Sequence, residues 1–334
     1  MRQVSPTAAL ATSLVAAIAL LTGCGGSTEA SDDRPLIATT VSPITSIAAA
    51  IGGDRVRIEG IVPEGTNSHT FEPEPQTAEL LSTADLVLVN GLKLEDPTMA
   101  LAEANMAPEA RLVEIGTTVL PEEDYIFDFS FPKEEGRPNP HLWTDPTYAI
   151  AYAAVIRDEF TKLDPEGAET YATNFSAFEA RANALAEAIR ADQRTVPEGQ
   201  LKLVTYHDAY AYFADNFGWE VVGALQPKDF AEPTPAEVAG LIEQIRAEGV
   251  PTIFGSEVFP SAVLEEVGTE AGVRYEDSLR DDDLPGAPGE ADHSWLGLMR
   301  SNFATMIRGL GGEPRQLEAL DITLDVPDTA VYPQ

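Results

Sequence analysis

Cysteine is almost absent from this chain. Its 334 residues include one, Cys24, so no internal disulfide can form. Positive charge is scarce too: 21 Lys and Arg stand against 55 Asp and Glu, a formal net charge of −34. Such a balance excludes binding nucleic acid through the phosphate backbone. Histidine occurs only four times, at His69, His141, His207 and His293. The longest apolar run, Ala8–Leu21, is too short and too early for a comfortable membrane span. There is no H-E-x-x-H, G-x-S-x-G, P-loop or G-x-G-x-x-G, so the sequence marks of those catalytic and nucleotide-binding sites are missing. No internal repeat or low-complexity tract interrupts the folded part.

What is present starts with an export signal. Arg2 supplies a short basic n-region, and Ala8–Leu21 has the length of an apolar h-region. The run closes on Leu21-Thr22-Gly23-Cys24, which resembles the bacterial lipobox. That resemblance implies removal of residues 1–23 and a lipid on Cys24, hence an extracytoplasmic protein anchored to the outer face of the cell membrane. Residues 24–34 are small and polar, a flexible tether.

From Pro35 the chain alternates strand and helix, the pattern of a parallel sheet flanked by helices. Strands are expected at Leu36–Val41, Val56–Val62, Leu86–Asn90 and Arg111–Ile115, and later at Leu201–Tyr206, Glu220–Leu225, Thr252–Gly255 and Val273–Tyr275. Between the two sets runs Pro165–Val196. Its apolar residues Ala168, Ala172, Phe175, Phe178, Ala182, Leu185 and Ile189 draw one helical stripe, with Asp164 as cap and Asp192 among the solvated positions. At the usual helical rise it is about 48 Å long, enough to join two lobes. The expected class is therefore α/β: two lobes of mostly parallel sheet, at 35–164 and 198–334, joined by one long rigid helix at 165–197, with a metal site in the interlobe cleft. Pro121–Pro140, with four prolines, is a long loop of the kind that carries function.

His69 follows the second strand, His207 follows the strand ending at Tyr206, and His141 precedes a helix opened by Asp145-Pro146. Asp277 lies just past the strand Val273–Tyr275. In open α/β sheets ligands gather at such carboxyl ends. Four segments, HTFEPEPQ, NPHLWTDP, YHDAYAYFADNFG and YEDSL, resemble in order the ligand segments of the cluster A-I metal-binding proteins. These are the zinc and manganese solute-binding lipoproteins of bacterial ABC importers. DPEGAETYATNF and WLGLMRSNFATMI extend the resemblance over nearly the whole chain after the signal.

The resemblance implies a metal site of His69, His141, His207 and Asp277. It also implies an ABC permease with its cytoplasmic ATPase as partner, a monomer, and no enzymatic activity. Three imidazoles and a carboxylate suit tetrahedral Zn²⁺, whereas Mn²⁺ prefers more oxygen. Manganese-type members often carry glutamate where His207 stands, so zinc is favoured and manganese is the alternative. Pro121–Pro140, which matches the His-rich loop of zinc-dedicated members, carries no histidine. A zinc-dependent hydrolase and a metal-binding adhesin are the other readings. Asp208 and Asp145 neighbour ligands and are placed to accept a second imidazole N–H, although Asp145 also reads as a helix cap. Glu257 is a supporting group or a surface residue. The run Asp281–Asp283 reads as solvated charge, and His293, which matches no ligand segment, as a surface residue.

Overall fold

In the computed structural model, which describes residues 32–128, 131–225, 233–256 and 262–334, two four-stranded parallel sheets follow one another along the chain. Cys24, the rest of the signal region and Glu257 lie outside the described residues. The first half runs β1 Leu36–Thr39, α1 Ser42–Gly52, β2 Arg57–Gly60, α2 Pro75–Thr83, β3 Leu86–Val89, α3 Asp96–Asn105, β4 Arg111–Glu114 and α4 Ile115–Val119. Two long helices follow, α5 Pro146–Leu163 and α6 Ala168–Asp192. The second half is β5 Lys202–Thr205, α7 Ala211–Phe217, β6 Glu220–Ala224, α8 Pro235–Glu248, β7 Thr252–Ser256, α9 Ala262–Ala271 and β8 Arg274–Leu279, closed by α10 Trp295–Gly309 and α11 Arg315–Glu318.

Sheet orders are β2-β1-β3-β4 and β6-β5-β7-β8, so both lobes have the same topology without sharing sequence. Helix starts are strongly encoded. Pro43, Pro75, Pro97, Pro146 and Pro235 sit in first turns, where the missing N–H costs nothing. Thr234 and Glu237 add a reciprocal capping box to α8. Strand residues alternate between two cores. Ile37 and Leu88 point into a large buried cluster, while Ala38 and Val87 point into a smaller one beneath α2. Likewise Leu203 and Phe254 face the large cluster, and Val204 and Ile253 the outer one. The large cluster thus takes side chains from both sheets and from Trp143, Phe160, Phe178 and Phe303. No helix among the described residues is long and apolar enough to cross a membrane.

Helix α6 packs on α1 and α5 from the first half and on α10 and α11 from the second. Its 25 residues make it about 38 Å long. The ends expected to be helical are single 3₁₀ turns, Pro165–Gly167 and Gln193–Thr195. Asp164 caps the first of these, and its carboxylate also takes the Tyr171 hydroxyl at 2.7 Å and Arg55 Nε at 2.8 Å. The buried seam is Tyr171, Phe178, Ala182, Leu185 and Ile189, with Ala172 exposed. Asp192 is not solvated. Only 3% exposed, it accepts the Gln316 and Leu317 N–H groups, both at 2.9 Å, and so holds the start of α11.

Two further departures bear on the site. Strand β8 runs four residues beyond Tyr275, to Leu279, because its polar continuation pairs with β7 and Leu279 is buried in the large cluster. Residues 331–333 return from the second half to the edge of the first sheet, where the Gly60 N–H donates to the Val331 carbonyl at 2.9 Å and Val331 N–H to Ile58 at 2.9 Å. That return covers His293. It is 4% exposed, not a surface residue, with the Tyr332 ring edge-on at 4.6 Å.

Candidate metal centre

Each histidine is held by its own stretch of backbone. His69 sits in the 3₁₀ turn Ser68–Thr70 beyond β2, where Asn67 Oδ1 accepts its N–H at 2.9 Å. His141 ends a Pro-Asn-Pro segment. Asn139 Oδ1 accepts both its backbone N–H at 3.1 Å and its ring Nδ1–H at 2.9 Å, which turns Nε2 and its lone pair inward. His207 lies two residues past β5, with its carbonyl taking the Thr205 hydroxyl at 2.7 Å.

These loops bring three Nε2 atoms together. His141 Nε2 is 3.0 Å from His69 Nε2 and 3.2 Å from His207 Nε2. One ligand atom from each lies within 4.8 Å of the others, the sole such grouping among the described residues. A tetrahedral ion with nitrogen ligands at about 2.0–2.1 Å separates those nitrogens by about 3.3–3.4 Å. Both distances from His141 are therefore close to those that such an ion requires. His141 and His207 are buried, and His69 keeps an open side on a 240 Å³ cavity that Lys93, Phe131 and Arg137 help to line.

Burial holds His141 well below the ordinary imidazole range, with His69 and His207 adding to the effect. It does the same for His69, where His207 and Arg137 add. His207 is pushed down to about 4 by burial, with Asp282 opposing. All three are thus neutral at physiological pH, the form that binds metal.

The carboxylate at the cluster is that of Asp281, whose Oδ2 is 2.7 Å from His207 Nε2. Asp277 is exposed on β8, four residues short of it. The physical reason is the length of the strand: the position just past its carboxyl end, expected at Asp277, is occupied by Asp281. Burial raises the Asp281 pKa. Trp143 Nε1–H donates to its carbonyl at 2.9 Å while the Trp143 ring stands 5.2 Å from that of His141. Asp281, Asp282 and Asp283 are 5–6% exposed, so the acidic run is buried and not solvated.

Asp145 is a cap, accepting the Thr147 N–H at 2.7 Å and the Asn216 amide at 2.9 Å. Asp208 is buried beside Asp128, and burial first and that neighbour second push its carboxyl well up. The group that accepts the second N–H of His141 is Asn139, whose own amide donates to Asp128 Oδ2 at 3.1 Å and to the Asp208 carbonyl at 2.9 Å. The N-x-H spacing of Asn67-Ser68-His69 and Asn139-Pro140-His141 was its signal in the sequence.

Two parallel α/β lobes with a histidine cluster at their strand ends define a class, the substrate-binding proteins of metal ABC importers. Residues 37–309 match the family described as zinc-uptake complex component A, periplasmic (ZnuA), and the chain belongs to that family. Its members are solute-binding proteins and not enzymes. Among curated relatives, the manganese-binding lipoprotein MntA of Halalkalibacterium halodurans is 29% identical over 302 residues, 89% of this chain and 97% of that one. The iron-binding protein YfeA of Yersinia pestis is 29% identical over 275 residues, 82% and 86% of the two chains. In fold, the periplasmic zinc-binding protein TroA of Treponema pallidum superposes with a TM-score of 0.75 at 24% identity, over 83% of this chain and 99% of that one.

Proposed function

We propose that this chain captures one divalent cation, zinc in preference to manganese, through His69, His141, His207 and Asp281, and passes it to a membrane permease driven by a cytoplasmic ATPase. Cys24 carries the lipid that holds it at the outer face of the membrane, and the capturing unit is a monomer. Residues 35–164 and 198–334 act as the two lobes, with 165–197 between them. The observation that carries this reading is the triangle of Nε2 atoms, 3.0 and 3.2 Å from its apex. Three neutral nitrogens with one carboxylate form a donor set that favours Zn²⁺, whereas Mn²⁺ lies low in the affinity order and prefers oxygen. Relatives named for manganese, iron and zinc make metal choice the point to test.

Competition calorimetry of the purified protein with Zn²⁺ and Mn²⁺ provides that test. One ion per chain is expected, with zinc the tighter, and His69→Ala or His207→Ala weakening it. Equal or tighter manganese binding overturns the zinc preference. Unchanged affinity in both variants overturns the site.

A further inference from the structure

Beside the carboxylate at the cluster, two more reach across the cleft to the opposite lobe. Asp283 Oδ2 accepts the Gly65 N–H at 2.8 Å, and Asp282 Oδ2 accepts the Ser68 N–H at 3.3 Å. In the other direction the Leu284 N–H donates to Glu64 Oε1 at 3.3 Å. All three bonds fall on Glu64–Ser68, the loop that delivers His69. That loop has little apolar packing of its own. Its residues are half-buried or exposed apart from Ser68, and Gly65 adopts a φ of +80°. Its position is therefore set by polar contacts. On its other side the Glu64 N–H donates to the Pro333 carbonyl at 3.0 Å, which anchors the loop's base but not its ligand end.

Three adjacent residues of one strand-end segment thus do two jobs. Asp281 meets His207, while Asp282 and Asp283 hold the loop of His69. Burying a carboxylate costs free energy that hydrogen-bond partners oppose. Here the partners are backbone N–H groups of the other lobe.

We propose that Asp282 and Asp283 form an interlobe latch that positions His69 on the cation bound by His207 and Asp281. This rests on the reading of the cluster as the cation site. An ion that fixes Asp281 also fixes its two neighbours, and they in turn bring in the ligand from the first lobe. Asp282 and Asp283 are positioning residues that act through His69.

The test is a cycle of Asp282→Ala and Asp283→Ala with His69→Ala, read by the rate of Zn²⁺ release to a chelator. With His69 present, removing the latch is expected to speed release roughly 10- to 100-fold, the range typical of groups that orient metal ligands. With His69 replaced, the same changes should add less than about twofold, because the latch then has nothing to position. In the metal-free protein, amide exchange at Gly65 and Ser68 should quicken roughly tenfold or more in the variants, while β1 and β3 amides stay protected. Asp283→Asn, which keeps an acceptor of the same shape, should fall between the two and serves if the alanine variant does not fold. Release rates unchanged by latch removal, or raised equally without His69, overturn the latch. Should His69→Ala itself leave zinc binding untouched, the cation site is what fails, and the exchange measurement then decides the latch alone.

Discussion

The two lobes share a topology but differ in how their strands end. In the first sheet, β1 and β3 are buried at every residue and pair without irregularity, and β3 stops where its apolar run stops. In the second, the ladder shifts between Leu203 and Val204 and again between Phe254 and Ser256, and the edge strand β8 is exposed over much of its length. A strand buried on both faces writes its own boundaries as a hydrophobic run. A half-exposed edge strand continues through polar residues and hides its end. The acid that follows the hidden end and stands beside His207 is Asp281, four residues beyond the expected Asp277.

The sharpest way to break that comparison is to neutralise the two acids in turn. Asp281→Asn is expected to weaken zinc binding by at least roughly 100-fold, as loss of a group touching the ion exceeds the usual effect of a supporting one. Asp277→Asn, an exposed change, should stay within about twofold. Zinc titrations of the two variants against the unmodified protein decide it. A large loss at Asp277 with none at Asp281 would return the ligand to the strand and collapse the contrast between the sheets.

A smaller effect is expected where the lobes meet without metal. Asp145 caps α5 and takes the amide of Asn216 on α7, so it ties the two lobes by a bond that no ion is needed to make. Asp145→Ala removes a cap and leaves Asn216 short of a partner, which should cost about 2 kcal/mol of stability. Denaturant unfolding of the metal-free protein measures this. Zinc affinity should change far less than in Asp281→Asn, and a comparable loss would mean that Asp145 supports the ligands after all.

The legible part of the molecule is the part governed by local pattern. Proline first turns and apolar runs located most helices and strands, and the three histidines stood out by their places beyond strand ends and before a capped helix. What stayed hidden depends on contacts distant in sequence. Asp281–Asp283 looks like solvated charge until Glu64–Ser68 closes over it. His293 looks like a surface residue until residues 331–333 return to β2 and set Tyr332 against it. Asp192 reads as the polar face of a helix because its partner, the start of α11, lies over 120 residues away. Helix α3 buries only Thr98 and Ala102, too little for a periodic stripe to mark it. In each case burial comes from a partner segment that the local sequence does not describe.

The first lobe has a buried acid of its own, held by backbone N–H groups and a hydroxyl, and it provides the mildest contrast with the second. Glu95 is 3% exposed and holds the turn after β3, accepting the Thr40 hydroxyl at 2.8 Å, the Asn90 N–H at 2.6 Å and the Gly91 N–H at 3.0 Å. These bonds favour the ionised form, yet burial outweighs them and pushes its pKa up to about 7. A folded-state pKa above the unfolded one means that folding favours the protonated acid. Its contribution to stability is full below the ordinary carboxylate range and is lost as pH rises through about 7. Between pH 6 and 8 this amounts to about 1 kcal/mol. Glu95→Gln should therefore flatten the decline in metal-free stability across that interval, whatever it does to absolute stability, while leaving zinc affinity at pH 7 within about twofold. Denaturation midpoints at several pH values, compared with those of the unmodified protein, check it. An identical slope in the two proteins would show that Glu95 is ionised throughout the interval, and that the turn's three donors outweigh its burial.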